Sequence, residues 1–394
     1  MRSAAHGPAV HGAPLLSRLV DGHHVPIDFS IGAIQRLEAL PNLSVDFAGA
    51  ARLMPAHGYA PLGAPDLRAA IAEHLTQRRG VHTQPDQVVV TAGGQGALSL
   101  IAAAFVRPGD RVLVEAPTYP GAIEVFSRAG AQVEGIDRDG AGPIPGSLQH
   151  LLASRPARLV YLVPTCHNPT GSVMSEVRRR DILRIAASAR VPVIDDTVLA
   201  DLLFEGGPPP DLAALDADNV LSVGSLSKCF WGGVRVGWIR APAETVLRLG
   251  RIRAALDFGN SAVSQAIALS ILEAFDDVTA QARAHAAEHV AVLADELRTK
   301  IPDWKFSMPR GGLSLWVALP HGSGDQFAQI ALRHGVAVSP GESAAPGEGF
   351  AAHLRLSAGP APQVIREGVD LLARAWSDMS LRPLATVSSP TLAI

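Results

Sequence analysis

The residue best suited to covalent chemistry is Lys228. It closes the segment Gly224-Ser225-Leu226-Ser227-Lys228, directly after an apolar run that ends at Val223. An amine at a crowded strand end is partly stripped of water. Desolvation lowers a lysine's proton affinity and frees its amine as a nucleophile. The hydroxyls of Ser225 and Ser227, with Arg235 a short way on, suit a phosphate dianion. A second place for an anion lies in Thr91-Ala92-Gly93-Gly94-Gln95-Gly96, after the apolar Val88-Val89-Val90. There Gly93 to Gly96 would make a strand-to-helix turn, and glycine lets an anion approach the free backbone N–H groups at the start of the helix that follows.

Two further segments follow apolar runs. In Val163-Pro164-Thr165-Cys166-His167-Asn168-Pro169-Thr170-Gly171, the Asn168 amide could donate to a ring oxygen. The next run ends in Asp195-Asp196. A carboxylate at the base of a pyridine ring keeps the ring nitrogen protonated and turns the ring into an electron sink. We assign that place to Asp195, with Asp196 as the alternative one register away. Each segment alone also reads as an ordinary turn, loop or helix cap. Together, in chain order, they supply a phosphate cradle, an amide, a carboxylate and a lysine, which suits pyridoxal 5′-phosphate (PLP) held as a Schiff base on Lys228.

The elements that must position these residues follow from hydrophobic periodicity. Leu67, Ile71 and Leu75 fall four apart between Pro65 and Gly80, which predicts an amphipathic helix over 66–80. Short strands are expected at 88–90, 111–115, 132–136, 158–163, 191–195 and 219–223, with a Gly-rich turn at 93–96 and helices between most of them. Strand and helix in alternation imply an α/β fold with a mostly parallel sheet covered on both faces, whose ligands sit at the carboxyl ends of the strands. Beyond about Phe275 the pattern changes. A long helix over 278–300 is followed by a strand at 311–319, a helix at 326–334, strands at 336–339 and 353–356, and a final helix. This reads as a smaller α+β domain. The expected organisation is an N-terminal arm with part of the small domain (1–50), a large PLP-binding domain (51–275), a small C-terminal domain (276–380) and a Ser-, Thr- and Pro-rich tail (381–394) expected to be poorly ordered.

Composition narrows the function classes. The chain has 394 residues, enough for more than one core, and is 47% hydrophobic and 18% charged, as in a soluble globular protein. Aromatic residues make up 5% and the net charge is −3, which argues against nucleic acid as a partner. The 2 cysteines, Cys166 and Cys229, form no disulfide framework and fit a reducing cytoplasm. No apolar run is long enough to span a membrane, and the polar start carries no signal-peptide core.

The chain resembles the fold-type I aminotransferases of class I/II over nearly its whole length. Asn168-Pro169-Thr170-Gly171 is similar to that family's Asn-Pro-x-Gly motif, and Ser225-x-x-Lys228 to its lysine motif. Within the superfamily it most resembles the aminotransferase-like domain of MocR-type transcription regulators, through His57-Gly58-Tyr59-Ala60-Pro61-Leu62-Gly63, Pro117-Thr118-Tyr119-Pro120-Gly121 and Ser227-Lys228-Cys229-Phe230-Trp231-Gly232-Gly233. Too few residues precede Ile27 for the winged-helix domain of those regulators, so an independent enzyme is expected. The resemblance implies that Lys228 carries the cofactor and shuttles the α-proton. It also implies that Tyr119 stacks on the ring, that Gly94, Gln95, Ser225 and Arg235 hold the phosphate, and that Arg355 and Gly32 receive the substrate carboxylate. Tyr59 would reach the phosphate across the interface of a homodimer. The roles of His167 and Arg310 stay open. One departure stands out: the family tyrosine three residues beyond the ring aspartate is Val198 or Leu199 here, according to register. The expected activity is transamination of an α-amino acid. The alternatives are elimination, replacement or C–C bond formation (for example on S-adenosylmethionine), and effector sensing without turnover.

Overall fold

The computed structural model describes residues 25–34 and 47–381. The expectations for the first residues and for the tail beyond 381 fall outside that range. The helix anticipated at 66–80 spans Pro65–Arg79. Proline occupies its first turn, and Gly80 ends it in the left-handed region at φ 65°, donating its N–H to Leu75 O.

The strands in chain order are β1 (Ile27–Asp28), β2 (Val88–Thr91), β3 (Arg111–Ala116), β4 (Gln132–Asp139), β5 (Gly142–Pro143), β6 (Leu159–Leu162), β7 (Val193–Asp196), β8 (Val220–Ser225), β9 (Gly237–Arg240), β10 (Lys305–Phe306), β11 (Ser314–Ala318), β12 (Val336–Ala337), β13 (Ser339–Pro340) and β14 (His353–Ser357). Eight of them form one sheet in the order β2-β9-β8-β7-β6-β3-β4-β5. The centre, β4-β3-β6-β7-β8, is parallel, and β9 runs antiparallel to β2 and β8. The Gly-rich segment expected as a turn is instead the first turn of the helix Gly93–Phe105.

Helices cover both faces of this sheet, so inner strands such as β6 and β7 are buried along their whole length and show no polar alternation. Alternate residues nevertheless enter different cores. Val160, Leu162 and Val193 pack into one apolar layer; Leu159, Tyr161 and Ile194 pack into the other. That phase matters for the site, because Asp196 shares the side of Ile194 while Asp195 shares the side of Val193.

A separate core joins the helices Phe275–Lys300 and Pro362–Leu381 to the antiparallel sheet β10-β11-β14-β13. Ile27 and Phe29, from the start of the described chain, pack into it. The single strand expected at 336–339 is two strands. Val336–Ala337 pairs in parallel with β1, and Ser339–Pro340 pairs with β14. The chain must bend between them because these partners belong to different sheets.

Candidate active site

A cavity of about 530 Å³ is lined by residues at the carboxyl ends of β6, β7 and β8, where parallel sheets of this kind place their ligands. Lys228 lies just beyond β8, lines the cavity and donates from Nζ to Gly32 O. Burial is the main force on its amine. With the Arg355 charge adding to it and Asp196 opposing, burial lowers the pKa to about 8.

Ser225, Ser227, Arg235, Gly94 and Gln95 line the same cavity. The two serine hydroxyls are 3.0 Å apart. Arg235 takes a left-handed backbone (φ 53°) and donates to Ala92 O, which lays its guanidinium across the start of the helix Gly93–Phe105. Glycine is needed at 93: φ is +76°, and a Cβ there would stand 3.0 Å from Arg235 Nη1. Hydroxyls, a guanidinium and the residues that start a 13-residue helix thus line one cavity. Tyr119 also lines the cavity, and its hydroxyl donates to Gln95 Oε1 at 3.0 Å.

Asn168 and Arg355 meet through a 3.3 Å hydrogen bond from Arg355 Nη1 to Asn168 Oδ1. Arg355 projects from β14 and is buried, and its Nη2 donates to Ser30 O. Its Nε has no partner among the described residues. A Cβ on Gly32 would lie 3.7 Å from Nη1, so the Ser30–Gly32 backbone runs alongside this guanidinium.

The aspartate assignment needs correcting. Asp195 does not face the cavity. Successive strand residues point to opposite faces, and Asp195 turns to the far side of the sheet, where its Oδ2 accepts from Leu212 N at 2.9 Å. Burial and the neighbouring Asp211 raise its pKa, against the pull of Arg179 and Arg79. Asp196 lines the cavity instead. Its Oδ2 accepts from Tyr161 Oη at 2.6 Å and its Oδ1 from Val198 N at 3.1 Å. It forms no ion pair among the described residues.

Tyr161 was missed from the sequence. It lies on β6, whose residues are all buried, so no polar alternation marked the face to which its hydroxyl turns. The one available signal was the hydroxyl itself, which needs a partner when buried. Val198 and Leu199 both line the cavity, so neither register brings a phenol to that wall. Tyr59 stays outside the cavity of its own chain. It is 58% exposed, with its ring centroid 5.0 Å from that of Phe258. His167 is buried behind the Asn168 loop, with Nδ1 2.9 Å from Thr170 Oγ1 and Nε2 3.6 Å from Glu115 Oε2. Arg310 is exposed and does not line the cavity.

The donor set fits PLP. A buried carboxylate with no ion-pair partner among the described residues suits a protonated ring nitrogen, the hydroxyl, guanidinium and N–H donors suit a phosphate, and a desolvated amine suits the aldehyde. Comparison with known proteins agrees. The family model described as aminotransferase class I and II matches residues 26–372. An uncharacterized HTH-type transcriptional regulator of Bacillus subtilis, YisV, is 31% identical over 71% of this chain, which spans 59% of that protein's length. The aromatic-amino-acid aminotransferase 1 of Thermococcus litoralis is 30% identical over 79% of this chain and 77% of its own. The crystal structure of LysN, the α-aminoadipate aminotransferase of Thermus thermophilus in complex with N-(5′-phosphopyridoxyl)-L-leucine, superposes with a TM-score of 0.83 at 27% identity, over 93% of this chain and 95% of that one. The fold is that of the fold-type I PLP enzymes, and the chain belongs to the PLP-dependent aminotransferase class I and II family.

Proposed function

We propose that this protein is a PLP-dependent transferase that removes the amino group of an α-amino acid. One observation carries the reading: a single cavity holds the Lys228 amine, the Asp196 carboxylate and the Arg355 guanidinium. When bound, the cofactor supplies an electron sink for bond cleavage at the substrate's α-carbon. Lys228 would hold it covalently through Nζ and, once displaced by the substrate amine, would move the α-proton. Asp196 would keep a proton at the ring nitrogen, and Asn168 would donate to the ring oxygen. Ser225, Ser227, Arg235 and the N–H groups at Gly94 and Gln95 would grip the phosphate, with Tyr119 against the ring. Arg355 would take the substrate carboxylate beside the Gly32 backbone. The exposed Tyr59 would complete the site of a second copy in a symmetric homodimer.

The decisive experiment supplies the PLP-loaded protein with a panel of amino acids and an acceptor keto acid, and follows the keto acid formed from each donor. Formation that depends on Lys228 supports the reading. Amino acid consumed with no amino group passed on points to elimination, replacement or C–C bond formation, in a cavity where Val198 and Leu199 stand in place of a phenol. The rival outcome, raised by the likeness to a protein named as a transcription regulator, is effector binding without turnover. A saturable spectral change on adding amino acid, with none consumed, would support it.

Two outcomes follow from the site's electrostatics. Arg355→Leu removes the only guanidinium placed to receive the carboxylate among the described residues beside Gly32. Losing one partner of a desolvated charge pair costs about 2–5 kcal/mol, so kcat/KM should fall roughly 30- to 5000-fold. Most of the loss should appear in KM, as steady-state kinetics can check. The Lys228 amine must be uncharged to attack an aldehyde. Its pKa is lowered to about 8, so below that pH it is mostly protonated. Stopped-flow absorbance should show PLP uptake by the apoprotein accelerating up to about pH 8 and levelling off above it. A rise continuing towards the range of a free lysine would contradict this.

A further inference from the structure

We propose that Tyr161 is a positioning residue that keeps Asp196 ionised, so that the proton shared between Asp196 and the cofactor's ring nitrogen stays on the nitrogen. The inference rests on the reading in which Asp196 faces that nitrogen. Tyr161 and Asp196 come from neighbouring strands β6 and β7 and emerge on the same face of the sheet, both buried and both lining the cavity. The phenol donates to Asp196 Oδ2 at 2.6 Å, within the range of a hydrogen bond to a charged acceptor. The other carboxylate oxygen is held by the Val198 backbone N–H. These two donors are the only protein hydrogen bonds the described residues make to this carboxylate. One oxygen is held by backbone that a substitution leaves in place, so the phenol is the adjustable member.

Burial favours the neutral acid at Asp196, whereas the Tyr161 hydrogen bond favours the carboxylate. Tyr161 itself keeps its proton, since burial first and then Asp196 push its pKa well above the usual range. It is therefore a donor over the whole working range of pH. Without it, a buried carboxylate left with the Val198 N–H as its one protein donor among the described residues gains by taking the proton from the ring. The ring would then be neutral and a poorer electron sink. A phenol absent from the Val198–Leu199 wall thus has a counterpart acting at the carboxylate rather than at the ring oxygen.

The test loads the 394-residue protein with PLP labelled with ¹⁵N in the ring and reads the ring-nitrogen chemical shift by NMR. Wild type should show the pyridinium position and Asp196→Asn the neutral one. Tyr161→Phe, which keeps the ring packed near Phe126 (centroids 6.1 Å apart), should move the signal from the first towards the second. The expected change in the ratio of protonated to neutral ring is roughly tenfold or more, as for the loss of a hydrogen bond to a charged group. An unchanged signal in Asp196→Asn would sink the assignment of Asp196 to the ring nitrogen. A response to Asp196→Asn with none to Tyr161→Phe would overturn the role of Tyr161 alone. If Tyr161→Phe does not fold, ζ-¹³C-tyrosine labelling reads the same contact. The chain has 3 tyrosines, which Tyr59→Phe and Tyr119→Phe assign. The Tyr161 signal should shift in Asp196→Asn, and a Tyr161 signal blind to that change would equally refute the inference.

Discussion

Lys228→Ala is expected to abolish the covalent attachment of PLP and nearly all turnover. Two losses combine. Under the proposed function, the protein would lose both the amine that holds the cofactor's aldehyde and the base for the α-proton. A placed acid–base group alone is worth roughly 10²–10⁴ in rate; in the proposed cycle the same atom would also hold the cofactor, so kcat should fall by at least that range. The rest of the cradle remains, because Ser225, Ser227, Arg235 and Tyr119 do not depend on Lys228 for their contacts. The variant should therefore still bind PLP, but reversibly. Mass spectrometry after borohydride reduction should find a cofactor-sized adduct on wild type and none on the variant. An adduct that persists would place the attachment on another lysine and remove the central claim.

The second large effect separates two adjacent aspartates. Asp196→Ala takes the anion away from a buried position facing the cavity. Breaking a buried pair by removing one partner costs about 3–5 kcal/mol, which corresponds to roughly 10²–10⁴ in kcat/KM when the cofactor's ring nitrogen is that partner. Asp195→Ala should leave kcat within a few-fold of wild type. What it removes is a hydrogen bond to Leu212 N and a negative charge beside the buried Arg179 and Arg79. Its cost, about 1–3 kcal/mol for the unmet donor, belongs to folding and should appear as a lowered midpoint in urea or heat denaturation. Kinetics and unfolding of the two variants, measured side by side, give opposite patterns. A catalytic loss in Asp195→Ala without a loss of stability would reverse the assignment.

These two residues also mark where the sequence alone stops being informative. Lys228, Asn168 and the Gly-rich segment after β2 were legible because each carries its own local signal: a lysine after an apolar strand, an amide after another, and glycines between an apolar strand and a helix; Arg355 was named only by the family resemblance. The order of those signals along the chain, with strand and helix in alternation, was enough to predict a mostly parallel sheet and a site at its carboxyl edge. The phase of the strands was not legible. β6 and β7 are buried on both faces, so they show no polar alternation, and without alternation a period of two has no starting point. The neighbouring layers decided it. Val193 enters one core and Ile194 the other, which sends Asp195 behind the sheet and Asp196 into the cavity.

Tyr161 was hidden for the same reason and a further one. Its partner lies 35 residues away on the next strand, and only the pairing of β6 with β7 brings phenol and carboxylate together. The split of β12 from β13 has a similar origin, since each half answers to a different partner strand. What the sequence determined by itself was the set of reactive residue types and the strand ends that carry them, because those follow from local chemistry and chain order. What only the tertiary structure decided was which of two adjacent carboxylates meets the cavity and which phenol supports it, because that depends on packing against residues far away in the chain.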